Sequence, residues 1–286
     1  MTRKQKMEQL EAQLLEGIQE YFVSEKYATL LKVMSRFHRY SANNCILIAC
    51  QCPEASYVTG YSKWKTMNRI VKRGEKAIRI ISPCPYKQIN EETGEEEERL
   101  TFRAASVFDI SQTVQIPGMP QIDFEIKELT EDVPDYDRLI VAITKIAPCP
   151  ICYVQIENGA KGYYRLDNNS IAICEGMGEL QTVKTLIHEI AHACLHNTEA
   201  NKMRETDRTT KEIEAESTAY IVTSCLGLDT SDYSFEYIGS WAGKDNLVVV
   251  SDALRNIQYT ADQIVCAIEK ELGYLVGNWG IEDPEV

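Results

Sequence analysis

Three of the four histidines in this 286-residue chain fall within nine residues, inside the segment TVKTLIHEIAHACLH that runs from 182 to 196. Apolar residues at 180, 183, 186, 187, 190, 191, 194 and 195 form a stripe at helical spacing, so the segment reads as a helix over about 178–196. On that helix His188 and His192 project from one face, one turn apart. The spacing lets two imidazole nitrogens reach one Zn²⁺ at about 2.0–2.1 Å. Glu189 lies next in sequence, beside a metal rather than on it, where its carboxylate can take a proton from water. A half-buried helix that follows a strand pair is the setting zinc hydrolases need.

A third ligand decides the subclass. The extended form of the motif needs Gly at 195 and His at 198, and the chain has Leu195 and Thr198. On the next helix Glu212 and Glu216 stand four apart on one face. Without a cation, two like charges at that spacing cost a few tenths of a kcal/mol, roughly 0.2–0.5. A metal beside them turns the cost into a gain. Glu214 points elsewhere and reads as part of a solvated acidic face.

These residues resemble the two-helix zincins, in which His-Glu-x-x-His is followed by a glutamate and, four residues later, an acidic or amide residue. The resemblance implies that Glu212 is the third ligand and that Glu216 buttresses a histidine. More narrowly, 185–192 with Glu216-Ser217-Thr218-Ala219-Tyr220 is similar to the ImmA/IrrE-type metallopeptidases of mobile elements and phages. So is Gly227-Leu228-Asp229-Thr230-Ser231-Asp232-Tyr233-Ser234, with Tyr237-Ile238 and Trp241 beyond it. The implied chemistry is peptide-bond hydrolysis, with Glu189 as the catalytic residue and His188, His192 and Glu212 on Zn²⁺. Two histidines and a carboxylate also suit Mn²⁺ or Fe²⁺. Tyr163, Tyr164 and Tyr220 are unranked candidates for a second oxyanion donor.

The net charge of −13 conceals a division. Residues 1–90 hold 15 Lys+Arg against 7 Glu and no Asp, a net +8, and residues 91–286 carry −21. Such asymmetry indicates two domains, one of which meets a polyanion. No run of about 18 apolar residues is present, which excludes a membrane-spanning helix. The first residues, MTRKQKMEQLEAQLLEG, lack the apolar centre of a signal peptide. The expected location is the cytoplasm. In that reducing setting the ten cysteines act as small hydrophobes, and Cys149-Pro-Ile-Cys152 lacks the second pair of a zinc ribbon.

Patterning along the chain gives an α+β protein. One or two helices are expected over 5–37, another from Ser41, a third over Tyr61–Ile70, and strands over 77–82 and 100–108 around a glutamate-rich hairpin tip. A proline-bearing linker at 111–135 places the boundary near 130, separating a domain over 1–130 from one over 131–286. Beyond it a helix over 136–147 and a strand pair (152–157 and 162–174, turning at Asn158-Gly159) precede the histidine helix. The next helix, 206–226, is stopped by Gly227, and the tail over 233–275 is mainly helical.

The basic block holds twelve Lys+Arg within 26–87, interleaved with Tyr40, Tyr57, Tyr61 and Trp64. Aromatic faces can stack on unpaired bases while cations follow the phosphates. Tyr40-Ser41-Ala42-Asn43-Asn44, Trp64, Lys72-Arg73-Gly74-Glu75-Lys76 and Val107-Phe108-Asp109-Ile110-Ser111-Gln112-Thr113 together resemble the N-terminal domain of ArdC-type antirestriction proteins. The resemblance implies a single-stranded-DNA partner and a DNA-binding set of Tyr40, Ser41, Asn44, Tyr57, Trp64, Lys65, Lys72, Arg73, Lys76, Phe108 and Gln112. The function expected is a mobile-element protein that binds single-stranded DNA and hydrolyses a protein or peptide substrate. Two alternatives stand beside it. One is a DNA-protecting antirestriction protein whose zincin domain binds metal without a physiological substrate, and the other is a regulatory peptidase that cleaves a repressor.

Overall fold

The computed structural model describes residues 2–21, 24–89, 95–120, 133–157, 159–204, 206–231, 233, 235 and 247–274. Helices and small sheets are mixed, as expected for an α+β chain. Helix α1 (Arg3–Tyr21) and α2 (Ser24–Arg36) lead into α3 (Ala42–Gln51). Ser41 caps α3 by accepting from the Asn44 amide at 3.4 Å, the reason the helix begins there. Next come β1 (Val58–Gly60), α4 (Tyr61–Thr66), β2 (Arg69–Val71), the long ribbon β3 (Ile78–Ile89) and β4 (Glu96–Asp109), and β5 (Thr113–Gln115). The glutamate-rich tip at 90–94 lies outside the described residues.

Two expectations in this half need correction. The helix beginning at Tyr61 ends at Thr66, because Asn68 takes a left-handed conformation (φ 58°) that no helix continues through. Residues 69–71 instead form β2, antiparallel to β5, so 113–115 are sheet and not linker. A 3₁₀ turn at Ile110–Gln112 joins β4 to β5 and is closed by a capping box between Asp109 and Gln112. Residues 121–132 of the expected linker are outside the described residues.

The second half contains α5 (Tyr136–Ile146), β6 (Ile151–Val154), β7 (Gly162–Arg165), β8 (Ser170–Cys174), α6 (Glu179–Leu195), α7 (Thr198–Met203), α8 (Arg208–Cys225) and α9 (Leu247–Leu272). The expected strand pair is three strands in the order β6-β8-β7. β6 runs parallel to β8, and the antiparallel hairpin is β7–β8, turned by residues 166–169 with Asn169 left-handed at φ 49°. Gly227, at φ 76°, ends α8 as expected, with the Leu228 amide reaching back to the Thr223 carbonyl at 3.1 Å.

A single apolar cluster runs through both halves of the chain. It takes Tyr27, Leu30 and Met34 from α2, Ile171 and Ile173 from β8, Leu186 from α6 and Ile257 from α9. Polar pins cross the same interface. The Tyr27 hydroxyl meets Ser217 Oγ at 2.9 Å in a buried setting, and Ser35 Oγ meets Ser224 Oγ at 3.1 Å. Buried Gln258 of α9 donates through Nε2 to the carbonyls of Phe37 (3.1 Å) and His38 (2.9 Å), which the C-terminal end of α2 leaves without helical partners. The α6–α8 pair that carries the histidines and glutamates is therefore held from one side by the three-stranded sheet and from the other by α2 and α9.

Candidate metal centre

Helix α6 buries Leu186, Ile187 and Ile190 and leaves His188 and His192 partly open on its other face. Helix α8 packs along it and brings Glu212 and Glu216 opposite the rings. His188 Nε2 lies 3.1 Å from His192 Nε2, and Glu212 Oε2 stands 3.8 Å from the first and 3.5 Å from the second. Bonds of about 2.1 Å at a tetrahedral ion put ligand atoms roughly 3.4 Å apart. Two imidazole nitrogens and a carboxylate oxygen at these separations fit a divalent cation. Glu216 does not join them. Its Oε2 meets His188 on the far side of the ring, at Nδ1, 3.1 Å away.

The charge balance of the group follows from burial and neighbours. Glu189 is buried, and burial raises its carboxyl above the usual carboxylate range. The rings of His188 and His192 and a backbone hydrogen bond from Tyr164 oppose that rise, and Glu212 adds to it. Burial alone would lower His188, but the Glu216 hydrogen bond and the surrounding carboxylates outweigh it, so the ring's affinity for a proton is raised. Glu212 is lowered, chiefly through its hydrogen bond to His192. Three acidic side chains thus surround two rings, an arrangement that favours positive charge between them.

A cleft of about 400 Å³ opens beside the group, lined among others by Lys161, Gln181, Lys184, His188, Glu189, Glu216 and Tyr233. Lys184 and Tyr233 were not among the candidates from sequence. Lys184 is four residues before His188 on the same helix, so the rule that paired the histidines also reaches it. Its Nζ lies 5.2 Å from the Tyr233 ring centroid. Of the three tyrosines considered as oxyanion donors, Tyr164 donates its hydroxyl to Asn169, Tyr163 accepts from Arg165, and the Tyr220 ring packs against Tyr233 and Phe235. Gly162 closes the cleft at β7, where a Cβ would stand 2.7 Å from Thr185 Cγ2 and 3.0 Å from the Ala172 carbonyl. Gly162→Ala is expected to cost about 1–3 kcal/mol by overpacking, measured by urea denaturation. Unchanged stability would mean that Thr185 turns aside at no cost.

One expectation on α8 is reversed. Glu214 is fully buried and forms a two-pronged pair with Arg204, at 2.6 and 2.7 Å. His196, the third clustered histidine, also turns inward. Its Nε2 donates to the Lys211 carbonyl at 3.1 Å, and burial, then the His192 charge, brings it down to about 4. The first contact ties α8 to the residue that ends α7, and the second ties the start of α8 to the end of α6.

The residues expected to bind DNA divide into two groups. Trp64 is fully buried, its indole N–H donating to the Phe108 carbonyl at 2.9 Å and its ring 5.4 Å from that of Tyr57. Asn44 is buried and exchanges two 2.9 Å hydrogen bonds with the backbone of Ile81, and Ser41 is the α3 cap. Tyr40 is half-buried, its hydroxyl 3.3 Å from the Val58 carbonyl. Gln112 reaches Glu75 Oε2 at 3.1 Å and the Lys76 carbonyl at 2.8 Å, so it braces the basic turn. Lys65, Lys72, Arg73 and Lys76 are exposed. Tyr61, 44% exposed, lies under Lys65 and edge-on to half-buried Phe108.

Residues 3–108 match the N-terminal domain of anti-restriction factor ArdC, and residues 146–234 match the IrrE N-terminal-like domain. An uncharacterized protein of Bacillus anthracis is 26% identical over 95% of this chain. The chain spans about half the length of that relative, 53%. Among solved structures, the metal-free antirestriction ArdC protein from plasmid R388 superposes with a TM-score of 0.57 at 21% identity, over 82% of this chain and 86% of that one. Its Mn(II)-bound form gives 0.54 at 21%, over 80% and 85%. The family matches and the shared fold agree along the chain, which therefore carries an ArdC-type N-terminal domain joined to an IrrE-like domain.

Proposed function

We propose that the chain binds single-stranded DNA through its N-terminal half and hydrolyses peptide bonds with a metal held by His188, His192 and Glu212. The observation that carries the catalytic half is the convergence of His188 Nε2, His192 Nε2 and Glu212 Oε2 beside an open cleft, with Glu189 on the same helix. A bound divalent cation supplies Lewis acidity and makes a water molecule easier to deprotonate. Glu189 then serves as the proton carrier: a carboxylate raised by burial is the better base near neutral pH, and its protonated form later delivers the proton to the leaving amine. Glu216 holds His188 by Nδ1, which keeps Nε2 turned toward Glu212 and His192. Zn²⁺ is our first choice of ion; the R388 ArdC structure with Mn(II) makes manganese the competitor.

For the DNA half, the support is a set of exposed side chains: Tyr61 beneath Lys65, and the cations Lys72, Arg73 and Lys76 of the basic turn. No described helix is long and apolar enough to cross a membrane.

Metal analysis of purified protein tests the ligand roles. His188→Ala or His192→Ala should abolish tight binding, and Glu212→Ala should weaken it severely. Glu216→Ala should weaken it by about 10–100-fold, the range for a residue that orients a ligand. If Glu216→Ala loses the ion and Glu212→Ala retains it, the two roles are reversed.

A further inference from the structure

A second set of ligand-type side chains stands apart from the α6–α8 group. His38 follows the C-terminal end of α2, and Asp262 and Cys266 are four apart on α9, the spacing that pairs His188 with His192 on α6. One ligand atom from each of the three lies within 4.8 Å of the other two. His38 Nδ1 is 3.0 Å from Asp262 Oδ1, and Cys266 Sγ is 3.6 Å from the same oxygen. Bonds of about 2.0–2.1 Å to nitrogen and oxygen and 2.3 Å to sulfur place tetrahedral ligand atoms roughly 3.3–3.6 Å apart. The sulfur–oxygen separation falls in that range, and the nitrogen–oxygen pair would open by about 0.3 Å to admit an ion.

The surroundings favour a cation. The His38 side chain is fully buried and that of Asp262 is 27% exposed, so water screens the group weakly. Glu269, also buried, adds a second carboxylate and is met by Arg39 at 3.3 Å. The Cys225 thiol, buried and donating to the Ser35 carbonyl at 3.2 Å, belongs to the same electrostatic group. Burial, then Asp262, pushes the Cys266 thiol up to about 11. Without an ion, His38 Nδ1 and the Cys266 thiol share one carboxylate oxygen, Asp262 Oδ1, at 3.0 and 3.6 Å.

We infer that His38, Asp262 and Cys266 form a second divalent-metal site, for Zn²⁺, that ties the end of α2 to α9. A nitrogen, carboxylate and thiolate set selects zinc over magnesium or calcium. Binding takes neutral His38 Nδ1, the Asp262 carboxylate and the Cys266 thiolate; the thiol proton is released to solvent, so the net charge balances. The ion would join two residues 224 positions apart, one from each half of the chain. The inference is independent of peptide hydrolysis, since none of the three residues belongs to the cleft.

Cobalt provides the test, because a thiolate ligand gives Co²⁺ a near-ultraviolet charge-transfer band and the α6–α8 group contains no sulfur. Metal-free, reduced His188→Ala protein is titrated with Co²⁺ and followed by absorbance. The expected result is one tightly bound ion with the sulfur band. Adding Cys266→Ser should remove the band and weaken binding by more than about 100-fold, the upper range for loss of an outer-shell partner. Adding Cys149→Ser and Cys152→Ser instead should leave the band unchanged. A His188→Ala protein that gives no band overturns the inference without further variants. So does a band that survives Cys266→Ser, or one that vanishes when the Cys149 and Cys152 pair is replaced.

Discussion

Glu189→Gln is expected to leave a folded, metal-loaded protein that binds single-stranded DNA as well as before. Its peptide turnover should fall by about 10²–10⁴-fold, the usual contribution of a positioned acid–base group. Glutamine keeps the shape of the side chain and much of its hydrogen bonding but can neither accept nor return the proton. Buried beside His188, Glu189 is not one of the three converging ligand atoms, so the metal content should stay at the wild-type level. A cleavage screen comparing wild type with Glu189→Gln in host extract supplies the substrate for this measurement. Loss of the ion in Glu189→Gln, to the extent seen for His188→Ala, would show that Glu189 is itself a ligand. If the screen gives no metal-dependent product while Glu189→Gln still protects incoming DNA from restriction, the DNA-protection alternative replaces hydrolysis.

Arg204→Ala should destabilise the protein by about 2–3 kcal/mol, toward the cost of stripping one partner from a buried ion pair, since Glu214 is buried although Arg204 is 33% exposed. Glu214 is fully buried, and without Arg204 its carboxylate has lost both of its short charged contacts. The pair holds the face of α8 opposite Glu212 and Glu216, so metal affinity should fall together with stability. Glu214→Leu in the Arg204→Ala background should recover most of the loss, because the buried charge is then gone. Chemical denaturation of the two variants measures both effects. A cost below about 1 kcal/mol for Arg204→Ala would place the pair with ordinary surface salt bridges.

The histidine helix was legible because its evidence is local. Apolar spacing gave the span, and the four-residue spacing of His188 and His192, and of Glu212 and Glu216, gave each pair a common face. The same rule reaches Lys184, four residues before His188, but lysine is not a usual zinc ligand and so carries no signal of its own. The turn at 166–169 was also legible, in the run Asp167-Asn168-Asn169, yet the apolar residues on either side made 162–174 look like one strand. The parallel pairing of β6 with β8 left no such trace, since it depends on which strands α5 and α6 bring together.

Burial was the quantity that sequence reasoning misplaced. Trp64 and Asn44 carry the chemistry of DNA readers, and Glu214 that of a solvent-facing helix residue, yet all three lie inside. Their destinations depend on distant partners: the Phe108 carbonyl for Trp64, the Ile81 backbone for Asn44, the Arg204 guanidinium for Glu214. The sequence by itself determined the two helices of the metal group, the caps at Ser41 and Gly227 and the basic character of the first ninety residues, because helical periodicity, capping and charge act over a few positions. Only the tertiary structure decided that Glu212 Oε2 meets both rings while Glu216 stands behind one, and that His38 reaches Asp262 across most of the chain. Those choices rest on how helices pack, and packing is set by contacts between residues that no local spacing relates.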